Sequence, residues 1–214
     1  MGVSTPHLVW DWNGTLLDDL SIVVAATNRA LAAAGGSPVT ADEHRRDFRR
    51  PISEYYGYVL GRSIDDAEFA LLDRVFHDAY GESLATCALS AGAEDALRDW
   101  PGSQSLLSMW FHDDLVPTVK RFGIADHFAR VDGLRDPVGG GSKAPHLVAH
   151  LDALGLDGRD CVLIGDSVDD AHAAAFVGAR AVLYEGGFTH PERLRETGLP
   201  VASSLAEAVR LALG

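Results

Sequence analysis

Asp11, Ser108, Lys143, Asp166, Asp169 and Asp170 are the residues of this sequence whose types and settings could do chemistry together. Asp11 ends the run "HLVWD" and leads into "WNGTL"; Ser108 lies in "SLLSM". Lys143 follows the glycine-rich "DPVGGGSKAP", and the other three acids lie in "GDSVDD", directly after the apolar run "CVLI". Several carboxylates packed together repel one another unless a cation sits among them. A set of oxygen donors with no His or Cys favours a hard ion such as Mg²⁺. Mg²⁺ shares its shell with substrate phosphate, and a lysine and a hydroxyl beside it can bind the remaining phosphate oxygens. An aspartate next to the metal can attack phosphorus and form an aspartyl-phosphate, while metal and lysine stabilise charge on the transferring group. Together the residues spell phosphoryl transfer.

Each signal alone has a plainer reading. "DWNGT" is also a strand followed by an Asn-Gly turn. "GDSVDD" is also a helix cap with acids at the positive end of the helix dipole. Ser108 alone is a structural serine, and Lys143 alone a surface lysine. Their order and their common placement after apolar runs set them apart from these readings.

The elements that must position them follow from periodicity. Short apolar runs of strand length occur at 7–11, 105–109, 161–164 and 181–184, with a weaker one near 128–131. Helical patterns separate them at 91–100, 114–122, 144–154, 169–177 and 205–213. Strands alternating with helices imply right-handed βαβ units and a parallel sheet, so the fold class is α/β. Ligands bind at the carboxyl ends of such strands, where the candidate residues lie.

The alternation fails between about residues 20 and 88. "IVVAATNRALAAAG" is a helix pattern ending in a glycine pair. Thr40 and Glu43 have the spacing of a capping box, and a longer amphipathic pattern starts with Ser63 or Asp65 as its cap. No strand is evident there. Residues 20–88 are expected to form a helical insertion, with 1–19 and 89–214 forming the α/β core. Within the insertion, "DFRRPISEYYGY" has two readings: a helix–helix connection with a tyrosine edge, or a loop that reaches over the site and contacts substrate. Arg49 and Arg50 suit an anionic group such as a carboxylate.

Composition narrows the partners. The chain has 214 residues and a formal net charge of −13. Such an acidic chain is a poor candidate for binding nucleic acid or anionic membrane. No apolar run approaches the roughly 20 residues that span a bilayer, and the N-terminus lacks a signal-peptide pattern. Cys87 and Cys161 form no disulfide framework or zinc cluster, and a cytoplasmic location is expected. Lys120 and Lys143 are the only lysines, against 16 arginines. Nothing in the sequence fixes an oligomeric state.

On these motifs the sequence resembles the haloacid dehalogenase-like superfamily, over nearly its whole length. Residues 11–16 match the first family motif, Ser108 the second, Lys143 the third, and Gly165-Asp166 with Asp170 the fourth. The similarity is greatest to the phosphoglycolate phosphatase-like branch, whose helical cap corresponds to residues 20–88 inserted into a Rossmann-like three-layer core. The resemblance implies a Mg²⁺-dependent hydrolase of a small phosphorylated metabolite, with Asp11 as nucleophile and metal ligand. It implies Asp166 and the main-chain carbonyl of Asn13 as further ligands. Asp170 would orient the metal shell or Lys143; Ser108 and Lys143 would hold phosphate oxygens, helped by Gly14 and Thr15.

Asn13 is the main departure. The family carries an aspartate there, which protonates the leaving group and then activates water. An amide cannot do this, and general acid–base help contributes about 10²–10⁴-fold. Its loss matters most for a poor leaving group and least for acyl or aryl phosphates. His112 is one candidate to replace it. Phosphosugar mutase chemistry depends on the missing group, and neither lysine lies in the cap to form a Schiff base. Two readings stay open: a phosphatase with an altered proton path, or a regulatory protein that keeps metal and phosphate affinity but turns over negligibly. Met109 after Ser108, and bulky Trp12 and Trp110, are smaller departures.

Overall fold

The computed structural model describes residues 5–135 and 141–214. In chain order it comprises β1 (His7–Trp10), β2 (Leu17–Asp18), α1 (Leu20–Ala33), α2 (Ala41–Asp47), α3 (Ile52–Leu60), α4 (Asp66–Ser83) and β3 (Ala88–Leu89). There follow α5 (Ala93–Asp99), β4 (Gln104–Phe111), α6 (His112–Arg121), β5 (Val131–Leu134), α7 (Ala144–Leu154) and β6 (Cys161–Gly165). The chain closes with α8 (Val168–Val177), β7 (Arg180–Tyr184), α9 (Pro191–Arg195), β8 (Val201–Ala202) and α10 (Leu205–Leu213).

Six strands form one parallel sheet in the order β5-β4-β1-β6-β7-β8. The α/β class and the Rossmann-like layering expected from the sequence are present. β1 lies between β4 and β6, so the chain turns to one side of it and later to the other. That reversal opens a crevice at the carboxyl ends of these three strands. Both faces are covered. Leu8 and Trp10 of β1 with Val162 and Ile164 of β6 enter the larger apolar cluster, which also takes in α10 and α5 residues. The alternate residues Val9, Cys161 and Leu163 pack with Leu147, Leu151, Ala173 and Ala174 of α7 and α8. The period-2 alternation along β1 and β6 therefore serves two apolar layers at once, as in other parallel sheets.

Helices α1 to α4 lie within residues 20–83. Thr40 and Glu43 make the capping box of α2, and Asp65 rather than Ser63 caps α4. Three expectations need correction. In "DFRRPISEYYGY" residues 48–51 are a loop whose Phe48 and Arg50 line a cavity at the sheet's carboxyl edge, but "ISEYYGYVL" is helix α3, with Tyr55 and Tyr56 buried and Tyr58 exposed. A strand does occur at the edge of the insertion: Leu17 and Asp18 pair antiparallel with Leu89 and Ala88. Two-residue strands leave too little alternation to be seen in a sequence. Finally, Ser108 lies inside β4, not at its end. The strand outruns β1, whose last partner on it is Leu106. β5, α9 and β8 also differ from the sequence reading: β5 begins at Val131, and the other two are too short to show a period. Residues 136–140 of the glycine-rich stretch lie outside the described residues.

Candidate active site

Asp11 stands directly beyond β1, its N–H donating to Ile164 O at 2.8 Å, so it is held against the end of β6. The chain then folds on itself. Thr15 and Leu17 both donate N–H to Trp12 O, and Gly14 N–H donates to Leu17 O. Gly14 has φ +72°, and a Cβ there would lie 2.6 Å from Asp166 Oδ2. Only glycine satisfies both the backbone region and the close approach.

Lys143 caps α7 and is 2% exposed. Its Nζ lies 2.5 Å from Asp11 Oδ1 and 2.5 Å from Asp170 Oδ1. Burial works against its charge, but the two carboxylates outweigh it and hold the ammonium above its ordinary pKa. Asp170 has a second duty. Its Oδ2 accepts from Ser167 N and Oγ, closing the capping box of α8. The cap reading and the site reading of "GDSVDD" therefore describe the same side chain. Asp169 instead accepts from Lys143 N at 2.9 Å and from Ser142 Oγ.

Asp166 is 1% exposed and gripped on both oxygens, by Thr15 Oγ1 at 3.1 Å and Phe188 N at 2.5 Å. A Cβ on Gly187 would come within 2.1 Å of it. Burial, then the charges of Asp11 and Asp170, push its carboxyl well above the usual range. Burial raises Asp11 too, with Lys143 pulling against it. Asp11, Asp166 and Asp170 can bring one oxygen each within 4.8 Å of one another. One ammonium does not neutralise three buried acids, and a divalent cation among them would. The donor set fits such an ion.

Asn13 anchors a different network. Its Nδ2 donates to Asp19 Oδ2 at 2.8 Å and to Tyr80 OH at 2.9 Å. Its Oδ1 accepts from Ser108 Oγ at 3.1 Å. Asp19, fully buried, also accepts from Tyr80 OH at 2.8 Å and from Gly14 N at 2.8 Å. Burial pushes its carboxyl up to about 6. Three expected phosphate helpers are thus engaged elsewhere: Ser108 with Asn13, the Gly14 N–H with Asp19, and the Thr15 hydroxyl with Asp166.

Two cavities share Asn13 at this point. One is small and polar, with Asp11, Lys143, Asp166, Ser167, Asp169 and Asp170 in its wall. The other lies between the sheet edge and the helices of residues 20–83. Asn13, Phe48, Arg50, Met109 and Phe188 line both. Arg50 faces Asp169 at 3.9 Å and donates to Gly141 O at 3.2 Å. Arg49 lines neither of these two but a third, adjoining cavity with Arg50, Ser167, Asp169 and Arg193; it donates to Asp47 O and lies over the Tyr58 ring at 4.1 Å. His112, engaged with Gly133 N, is outside both walls as well. Trp12 is core, packed on Phe122, whereas Trp110 packs on Tyr80 and faces the second cavity.

A family model described as haloacid dehalogenase-like hydrolase matches residues 5–178. The chain belongs to the haloacid dehalogenase-like hydrolases. A phosphoglycolate phosphatase of Mesorhizobium japonicum is 26% identical over 195 residues, covering 87% of this chain and 86% of that one. An N-acetylmuramic acid 6-phosphate phosphatase of Pseudomonas aeruginosa is 27% identical, with coverage of 86% and 84%. Among solved structures, a "predicted phosphatase" from Clostridium acetobutylicum superimposes with a TM-score of 0.84 at 15% identity, over 96% of this chain and 97% of that one. That likeness speaks for the fold alone.

The haloacid dehalogenase-like match stops at residue 178, yet the loop after β7 returns to the site through Gly187 and Phe188. Sequence reasoning missed these two, and also Asp19 and Tyr80. The acid pair Asp18-Asp19 after "NGTLL" was a visible signal for Asp19. Tyr80 had none, because a tyrosine on an amphipathic helix looks like any other core residue.

Proposed function

We propose that the chain is a Mg²⁺-dependent phosphatase of small organic monophosphates, working through an aspartyl-phosphate on Asp11. The observation that carries this is Lys143, a buried ammonium shared by Asp11 and Asp170 beside Asp166. Asp11, Asp166, Asp170 and the main-chain carbonyl of Asn13 would hold the metal, and the all-oxygen donor set suits Mg²⁺. When bound, Mg²⁺ supplies positive charge against the transferring phosphoryl group.

The protein's own groups do the rest. A carboxylate oxygen of Asp11 forms a bond to phosphorus as the bond to the leaving oxygen breaks. Lys143 donates to the phosphoryl oxygens, with Arg50 at the rim of the same cavity. Water then attacks phosphorus, releasing phosphate and restoring Asp11. The helices of residues 20–88 act as the cap over this centre, and two free cysteines suit a cytoplasmic enzyme. Phosphoglycolate, named in several relatives, is the reference substrate.

Mg²⁺-dependent phosphate release from p-nitrophenyl phosphate, lost in Asp11→Ala and on chelation, is the expected result. Asn13 favours one rival: a regulatory protein that binds phosphate and metal without turning over. Saturable Mg²⁺ and phosphate binding with no release from any ester would select the rival.

A further inference from the structure

We infer that the alcohol half of the substrate is an uncharged, ring-sized apolar group, so that this enzyme takes aryl or arylalkyl monophosphates rather than phosphorylated carboxylic acids. The inference rests on the phosphatase reading above and on the second cavity, which shares Asn13 with the phosphate cavity, as the arginine-lined cavity beside Asp169 does not, and so would receive whatever the phosphate is attached to.

That cavity holds about 110 Å³, the size class in which a single ring is accommodated. Its walls are mainly aromatic, with Phe48, Tyr56, Phe76, Tyr80, Trp110 and Phe188 contributing. Tyr80 stands edge-on to Trp110 and stacks on Phe76, and Phe48 stands edge-on to Phe188. Such faces and edges suit another ring.

The charges point the same way. Among the described wall residues, the arginine is Arg50, which sits at the seam with the phosphate cavity and faces Asp169. The carboxylate is Asp73, beside His77 Nε2 at 3.4 Å. His44 is neutral, because burial drives its pKa down to about 4. Its Nδ1 meets Tyr55 OH at 2.8 Å, and its Nε2 is buried without a partner. It adds no charge to the wall. A carboxylate entering this cavity would lose water and meet Asp73 rather than a free cation. Asn13 lines both cavities, so the leaving oxygen departs past an amide that cannot protonate it. A phenolate leaves without that proton.

Benzyl phosphate and phosphoglycolate are both primary alkyl esters, so comparing them isolates the pocket from leaving-group reactivity. With the full chain and Mg²⁺, kcat/KM for benzyl phosphate is expected to exceed that for phosphoglycolate at least tenfold. Equal rates, or a preference for phosphoglycolate, would overturn the inference. Calorimetric binding of benzylphosphonate against phosphonoacetate asks the same question without turnover, again with at least a tenfold difference expected. If no ester is cleaved but benzylphosphonate still binds more tightly, the phosphatase reading fails and the pocket assignment survives. Tighter or equal phosphonoacetate binding overturns the pocket assignment itself. Arg50→Ala should slow both esters alike, whereas a loss confined to phosphoglycolate would make Arg50 a carboxylate anchor and refute the inference.

Discussion

On one side of the Asp11 turn a single ammonium, Lys143, is shared by two carboxylates. On the other a single carboxylate, Asp19, is shared by an amide, a phenol and a backbone N–H. The first arrangement is incomplete: three acids face one cation, and the pKa values of Asp11 and Asp166 register the imbalance. A divalent cation would complete its charge balance. The second is closed, since every polar atom of Asn13 beyond its backbone already has a partner. The difference teaches that Asn13 is not an aspartate with its charge removed. It is a donor fitted to an acceptor, and the acceptor is Asp19.

The largest break in this comparison comes from Lys143→Met. It leaves Asp11 and Asp170 buried and unpaired, a defect of about 3–5 kcal/mol. Chemical denaturation should show that loss, and phosphate release from p-nitrophenyl phosphate should fall at least about 10²-fold. Next is the closed side. Asn13→Asp alone sets a second carboxylate against Asp19 across the 2.8 Å now spanned by a hydrogen bond, so no gain in rate on alkyl phosphates is expected. Adding Asp19→Asn restores a donor–acceptor match with the acid now at position 13. That pair should gain about 10²–10⁴-fold on alkyl phosphates and little on aryl ones. Steady-state rates on both ester classes check it. A double variant no faster than wild type would show that the missing acid is not what limits the enzyme.

Smaller effects sharpen the picture. The Asp19 carboxyl lies near 6 in the folded state, above its ordinary 3.8, because burial disfavours its charge. Its contribution to stability is therefore fully present below about pH 4 and is lost as pH rises through 6. The loss is about 3 kcal/mol at roughly 1.4 kcal/mol per unit. Unfolding free energies of wild type and Asp19→Asn, measured from pH 4 to 7, should converge or cross over that window. Tyr80→Phe removes one donor to Asp19 and one acceptor for Asn13, costing about 1–3 kcal/mol. Thermal denaturation would register it.

The sheet and the charged side of the site were legible because both are local. Apolar runs such as "HLVW" and "CVLI" fill both layers of a parallel sheet, and Asp11, Lys143, Asp166 and Asp170 follow apolar runs or open helices. The neutral side was not legible, since it joins residues far apart in sequence: Asn13 with Tyr80, and Ser108 with Asn13. The resemblance implied that Ser108 and Thr15 face phosphate, whereas here Asn13 and Asp166 accept from their hydroxyls. Arg49 and Arg50 are adjacent and alike in sequence. Which of them faces the site was settled only where α3 begins, with Arg49 laid over Tyr58 and Arg50 turned to Asp169.

The β2–β3 pairing has a consequence for how such a protein changes over time. Asp18 and Ala88 are direct partners across that ribbon, so the four helices between them are entered and left at one point of the core. The entropy of closing such an excursion grows only slowly with its length, and the sheet's register takes no notice of what it contains. The helices can therefore be lengthened, shortened or exchanged as a cassette. The condition is that the seam residues Ile22, Val23, Ala26, Ala79 and Tyr80 still complete the larger apolar cluster. Change in the helices is thus limited by those seam contacts and by the bonds of Tyr80 to Asn13 and Asp19, not by the ribbon itself.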